Sequence, residues 1–227
     1  MIDSKKIIAH RGAWKDFNLP QNSIAAFNKA QELPIGGIEF DLQLTKDEKV
    51  IVFHDDEING KSINSLMYHD LKEVLLLNGE SIPLLSDFIK EWNESHLLWI
   101  ELKENQLSEA QKQIFVKNVL IDLKGITENI HFISFDFSIL KNLCDHSAFH
   151  CSYLNDDCMP KKLFDQAIKG LDAHYERYFE DTSLLFQLKR LKMTSSAWTV
   201  NDVRIAQELN DLEIDYITTD ELLAFLI

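Results

Sequence analysis

The chain has 227 residues, 45% of them hydrophobic with few Gly or Pro, which is enough for a sizeable core and argues against a disordered or fibrous chain. A formal charge of −14 argues against a binder of nucleic-acid backbones, which needs a basic stripe that releases counterions. No apolar run reaches the length of a membrane span, no secretory core follows the polar start, and three cysteines suit reduced thiols, so no stable membrane insertion and a cytoplasmic location are expected.

In chain order, strands are expected at 6–10, 37–44, 50–54, 97–103, 130–135, 150–154, 171–175, 194–200 and 214–219. Amphipathic helical segments alternate with them near 22–33, 83–94, 107–124, 138–145, 160–169, 182–192, 202–211 and 220–227. Many strand runs are nearly continuous in Ile, Val, Leu and Phe, as in a parallel sheet covered on both faces. This alternation predicts an α/β fold, and about eight units favour a closed (β/α)8 TIM-type barrel over an open sheet. The whole of 1–227 reads as one barrel domain, with the irregular residues 55–82 as a short excursion after the second strand region. Asn22 or Ser23 is placed to cap the first helix, and Asn201-Asp202 a later one.

Charged residues interrupt two of the apolar runs. In Gly37-Ile38-Glu39-Phe40-Asp41-Leu42 the two carboxylates share one strand face, roughly 7 Å apart by strand geometry. In Trp99-Ile100-Glu101-Leu102-Lys103 the acid and the base share a face. Each run alone also fits an edge strand with one solvated side. Both together, with His10 ending the first strand and His54 ending Val50–Phe53, favour a carboxylate metal site, because buried like charges are costly without a cation. If the strands are parallel, these ends converge on the barrel rim where active sites are built. Cys144, Cys151 and Cys158 are separated by six-residue gaps and lack the close pairing of structural zinc sites.

His10-Arg11-Gly12, Pro20-Gln21-Asn22-Ser23, Ile38-Glu39-Phe40-Asp41, Thr45-Lys46-Asp47 and His54-Asp55 occur in that order. Ile82-Pro83-Leu84, Glu101-Leu102-Lys103, Trp198-Thr199-Val200-Asn201 and Ile217-Thr218-Thr219-Asp220 follow them. In these motifs, across essentially the whole chain, the sequence resembles the glycerophosphodiester phosphodiesterase family. The resemblance implies a (β/α)8 barrel that uses one divalent cation, Mg²⁺ or Ca²⁺, to cleave a small glycerophosphodiester into glycerol 3-phosphate and an alcohol. By position it makes Glu39, Asp41 and Glu101 the metal ligands and His10 and His54 the general acid/base pair. It also puts Arg11 and Lys103 on the phosphate and Trp198 against the glycerol or leaving group, although Trp198 reads equally as a core indole. Two departures stand out: Gln21 replaces the family's usual Glu, and the segment after His54 is short and lacks the usual Arg-Thr pair, which opens the question of substrate.

The residue types suit the chemistry. Three carboxylates, a divalent ion, Arg11 and Lys103 leave a local charge of roughly +1 for an anionic substrate, and about −1 without the ion. Two alternatives remain at this level. One is cleavage of lysophospholipids in phospholipase-D fashion, using an apolar slot at Phe135, Phe137 or Tyr178. The other is an impaired barrel retained as a binding protein.

Overall fold

The computed structural model describes residues 2–155 and 157–226. Eight of the apolar runs pair in parallel around a closed ring: β1 (Ile7–Ala9), β2 (Gly37–Leu44), β3 (Leu97–Leu102), β4 (Ile130–Ser134), β5 (His150–Tyr153), β6 (Gly170–His174), β7 (Thr194–Trp198) and β8 (Tyr216–Thr219). Each pairs with its neighbour in sequence, and β1 pairs with both β2 and β8, so no edge is left in the ring. Helices between the strands cover the outside. The helix Ile24–Gln31 turns Ala26, Phe27 and Ala30 inward, and Phe27, Phe40 and Phe88 pack with centroids 4.6 to 6.1 Å apart behind β2. The last expected helix, 220–227, is formed as Leu222–Phe225, and Ile227 lies outside the described residues.

One expected strand is not part of the parallel ring. Val50–Val52 pairs antiparallel with β2, with Leu44 opposite Val50 and Leu42 opposite Val52. Continuous apolar residues report burial on both faces but not strand direction. The link from Leu44 to Val50 is also far too short for the crossover of a dozen or more residues that a parallel neighbour requires. The reversal carries the chain back toward the barrel, where the Phe53 amide donates to the Asp41 carbonyl (3.0 Å).

Residues 55–82 contain a small hairpin (Glu57–Ile58 with Lys61–Ser62) and the helix Tyr68–Lys72. Their own apolar cluster, Ile63, Leu71 and Ile82, packs on Ile51. Inside the barrel below the rim, Trp99 stacks on His131 (3.6 Å) and donates to the buried Asp172 Oδ2 (2.9 Å).

Candidate active site

Glu39, Asp41, Glu101 and Lys103 meet because their strands are paired in register. Asp41 on β2 stands directly opposite Glu101 on β3, and the two-residue period turns Glu39 to the same interior face. Oxygens of Glu39, Asp41 and Glu101 lie within 4.8 Å of one another; Glu101 is near the carboxyl end of β3, whereas Glu39 and Asp41 lie within β2, whose carboxyl end, Leu42 to Leu44, pairs with Val50–Val52. This is the only such group of potential metal ligands among the described residues. The three cysteines are free thiols and take no part in one.

The surrounding contacts are dense. Asn22 Nδ2 donates to Asp41 Oδ2 (2.7 Å), and the Arg11 amide donates to Glu39 Oε2 (2.9 Å). Lys103 Nζ lies 3.1 Å from Asp41 Oδ1 and 2.8 Å from Glu101 Oε1, and Arg11 Nε is 3.4 Å from Asp41 Oδ2. Arg11 takes a left-handed conformation (φ 56°) to do this. Gly12 follows at φ 80°, where a Cβ would lie 2.8 Å from the Ala26 backbone, so no other residue fits without displacement.

Two basic groups do not neutralise three buried acids. Burial and the charges of Asp41 and Glu101 push the Glu39 carboxyl well above its usual range. Burial, with the Asp41 charge, lifts Glu101 to about 7. Burial acts on Asp41 in the same direction, but the Lys103 and Arg11 charges outweigh it and hold that carboxyl below its usual range. Glu39 Oε1 is buried and accepts no hydrogen bond among the described residues. A hard, all-oxygen donor set with an orphaned buried oxygen and excess negative charge fits a divalent cation such as Mg²⁺ or Ca²⁺.

Both histidines reach this rim by different routes. His10 follows β1 directly, and its Nδ1 is 2.7 Å from Asp220 Oδ1, leaving Nε2 on the Glu39 side at 4.0 Å. His54 arrives on the returning antiparallel strand, with Nδ1 2.8 Å from Asp55 Oδ1, and burial lowers its pKa. Asp220 also accepts from Trp14 Nε1 (3.2 Å) and Asn201 Nδ2 (3.0 Å). Burial would raise the Asp220 carboxyl, but these bonds, His10's foremost, hold it at about 2.

A cavity of about 240 Å³ opens onto these groups, lined by His10, Arg11, Glu39, His54, Glu101, Lys103 and Trp198 among others. Trp198 is both anchored and accessible. Its Nε1 donates to the Asp172 carbonyl (3.1 Å), while its ring forms a cavity wall beside Phe135, whose centroid is 5.7 Å away. Gln21 accepts from Arg11 Nη1 (2.7 Å), so it orients the guanidinium without adding charge. Of the three aromatics expected to form an apolar slot, only Phe135 lines the cavity. Phe137 opens a helix and packs on Tyr153, and Tyr178 is fully buried with its hydroxyl on the Ser196 carbonyl (2.8 Å).

The sequence motifs contain Asp220 and Asp55 but assign neither a role, and they offer Asn22 only as a helix cap. Ser23 takes the helix cap, accepting from the Ala26 amide, which frees Asn22 to bind Asp41. An acid directly after the last strand was the available signal for Asp220, because closure of a barrel sets strand eight beside strand one.

The sequence profile of the glycerophosphoryl diester phosphodiesterase family matches residues 10–224. A solved glycerophosphodiester phosphodiesterase from Parabacteroides distasonis aligns with a TM-score of 0.93 at 33% identity, covering 100% of this chain and 98% of that one. An Oleispira antarctica phosphodiesterase, solved in complex with the product sn-glycerol-3-phosphate, shares the fold (TM-score 0.84, 22% identity, 95% of this chain and 93% of that one). The Bacillus subtilis protein YhdW is 27% identical, with 94% of this chain and 93% of its own length aligned.

Proposed function

Because this chain belongs to the glycerophosphoryl diester phosphodiesterase family, we propose that it hydrolyses a glycerophosphodiester to sn-glycerol 3-phosphate and an alcohol at the rim of its barrel. The observation that carries this reading is one cluster. Oxygens of Glu39, Asp41 and Glu101 lie within 4.8 Å, beside two histidines that each present Nδ1 to a carboxylate.

Glu39, Asp41 and Glu101 would hold one divalent cation, Mg²⁺ or Ca²⁺, which when bound supplies positive charge against that building on the phosphoryl oxygens. The protein's own groups do the rest. Arg11 presents a planar fork to two phosphate oxygens and Lys103 a point charge to a third, once the phosphate draws them from Asp41. With Nδ1–H given to a carboxylate, each histidine turns Nε2 toward the substrate. One ring takes the proton of the attacking hydroxyl, from the glycerol 2-position or from water, and the other returns a proton to the leaving alcohol oxygen. Trp198 lays its ring along the glycerol or the leaving group.

The test is an assay of glycerophosphocholine with glycerol 3-phosphate as readout, on protein stripped with EDTA and then supplied with Mg²⁺ or Ca²⁺. Turnover that disappears with EDTA and returns with the cation is expected. No turnover by folded protein on any of a panel of glycerophosphodiesters would overturn the reading and favour a barrel kept for binding.

A further inference from the structure

β2 carries a third inward polar residue, which the chemistry above leaves without a role. Gln43 continues the two-residue period of Glu39 and Asp41 and is fully buried. Its Nε2 donates to three successive carbonyls, those of Phe53 (3.2 Å), His54 (3.2 Å) and Asp55 (2.7 Å). That stretch bears the His54 ring and the Asp55 carboxylate beside its Nδ1. Residues 53–55 belong to no helix or strand, and among the described residues no backbone amide donates to any of their carbonyls. Three carbonyl dipoles aimed at one point repel each other, and without a donor there they would turn out to water. The Gln43 amide gathers them.

The sense of that amide is fixed from its other side. Gln43 Oε1 accepts from Asn105 Nδ2 (2.6 Å), so the NH₂ group must face the three carbonyls. Asn105 is itself buried, two residues after Lys103, and takes a left-handed conformation (φ 32°) that Asn tolerates better than most residues. The 55–82 excursion braces it. Ser62 Oγ donates to Asn105 Oδ1 (3.2 Å), Asn64 Nδ2 donates to the Asn105 carbonyl (2.7 Å), and Asn105 Nδ2 also reaches the Asp56 carbonyl (3.3 Å). The excursion thus holds Asn105, Asn105 orients Gln43, and Gln43 holds the backbone from which the His54 ring projects into the cavity.

We propose that Gln43, locked by Asn105, is a positioning residue for the reaction, fixing residues 53–55 on β2 so that the His54 ring keeps its place over the acids of the same strand. The proposal rests on the phosphodiesterase reading above and on the proton role it gives His54. It also gives the excursion a part in the reaction, as the brace of this amide pair. The bond from the Phe53 amide to the Asp41 carbonyl is the last backbone tie before the ring, so the three bonds from Gln43 decide where the ring stands. A displacement of about 1 Å at a proton-transfer group can cost about a hundredfold in rate.

The experiment measures kcat and KM on glycerophosphocholine, Ca²⁺ affinity by calorimetry, and folding by circular dichroism. Gln43→Met keeps an unbranched side chain of similar length without its donors, and Asn105→Ala leaves the Gln43 amide in place but free to turn. Each is made alone and together with His54→Ala. Gln43→Met is expected to lower kcat about tenfold to a hundredfold, with KM and Ca²⁺ affinity within about twofold of wild type. Asn105→Ala should lower kcat in the same way by about threefold or more. Neither should slow His54→Ala protein further, because both act through that ring. Should Gln43→Met fail to fold, Asn105→Ala decides the question alone. Wild-type kcat in the folded variant, Ca²⁺ affinity lost in step with kcat, or losses that multiply with that of His54→Ala would each overturn the proposal. Full turnover by His54→Ala would also overturn it and leave the phosphodiesterase reading standing. If the wild type cleaves no glycerophosphodiester, both fall.

Discussion

Replacing Asp220 by Asn keeps the shape of the side chain and removes half of its function. Oδ1 accepts from His10 and Trp14, and Oδ2 accepts from Asn201. An amide offers one oxygen and one NH₂. With its NH₂ toward Asn201, two donors face each other, and Asn201 cannot turn over cheaply because its Oδ1 already accepts the Asp220 amide and the Thr219 hydroxyl. With its NH₂ toward His10, the ring must move its proton to Nε2 and the Trp14 indole loses its acceptor. Either arrangement leaves a partly buried donor unmatched, a cost of about 1–3 kcal/mol in stability. The second arrangement also blocks the ring nitrogen proposed to exchange protons with substrate, so kcat should fall by about 10²–10⁴. Because Asp220 acts through His10, the His10→Ala/Asp220→Asn double variant should be no slower than His10→Ala alone. The assay is glycerol 3-phosphate release for the four proteins, with ¹⁵N shifts of the His10 ring reporting the tautomer. A kcat within about threefold of wild type for Asp220→Asn, or multiplicative losses in the double variant, would refute the reasoning.

His54→Ala should lower kcat by about 10²–10⁴ and leave the circular dichroism spectrum unchanged, and near wild-type turnover would remove His54 from the chemistry. Phe40→Ala empties a fully buried site between Phe27 and Phe88 on the strand that carries Glu39 and Asp41. It should cost about 3–5 kcal/mol in urea unfolding, and a loss below about 1 kcal/mol would contradict that packing. Burial depresses His131 well below its usual pKa and takes His150 down to about 4. Below about pH 6.5 the unfolded chain therefore binds protons that the fold refuses, and stability falls as pH drops toward 4, by up to about 1.4 kcal/mol per pH unit per ring. Asp172, raised by burial to about 7, opposes this, because its contribution is complete below its unfolded pKa and fades as pH rises. The readable quantity is thus the difference between the wild type and His131→Gln, whose stability should fall less steeply on acidification. Identical slopes would show that His131 is protonated in the fold.

Much of the barrel and its rim was legible in the residues, for physical reasons that also mark where legibility ends. Glu39 and Asp41 could be assigned to one face because strand periodicity is two, and their conflict with an apolar setting signals a site whatever the fold. The direction of Val50–Val52 was hidden, since apolar composition encodes burial and not orientation, although the five-residue link before it carried the answer. Local pattern separated neither Asn22 from Ser23 nor Asn201 from Asp202 as caps. In each pair the second residue caps the helix, and the first serves the site, Asn22 on Asp41 and Asn201 on Asp220. His10 and Asp220 are 210 residues apart, and only closure of the ring makes them neighbours. Of Phe135, Phe137 and Tyr178, only Phe135 lines the cavity, because the fold takes the other two into packing, Phe137 on Tyr153 and Tyr178 inside the core.

The account depends on three acids from two adjacent strands gripping one doubly charged ion, and calorimetric titration of EDTA-stripped protein with Ca²⁺ or Mg²⁺ addresses that alone. One ion per chain for the wild type, with binding lost in Glu39→Gln, is the predicted result. No detectable binding by folded wild-type protein, or full binding by Glu39→Gln, would contradict it.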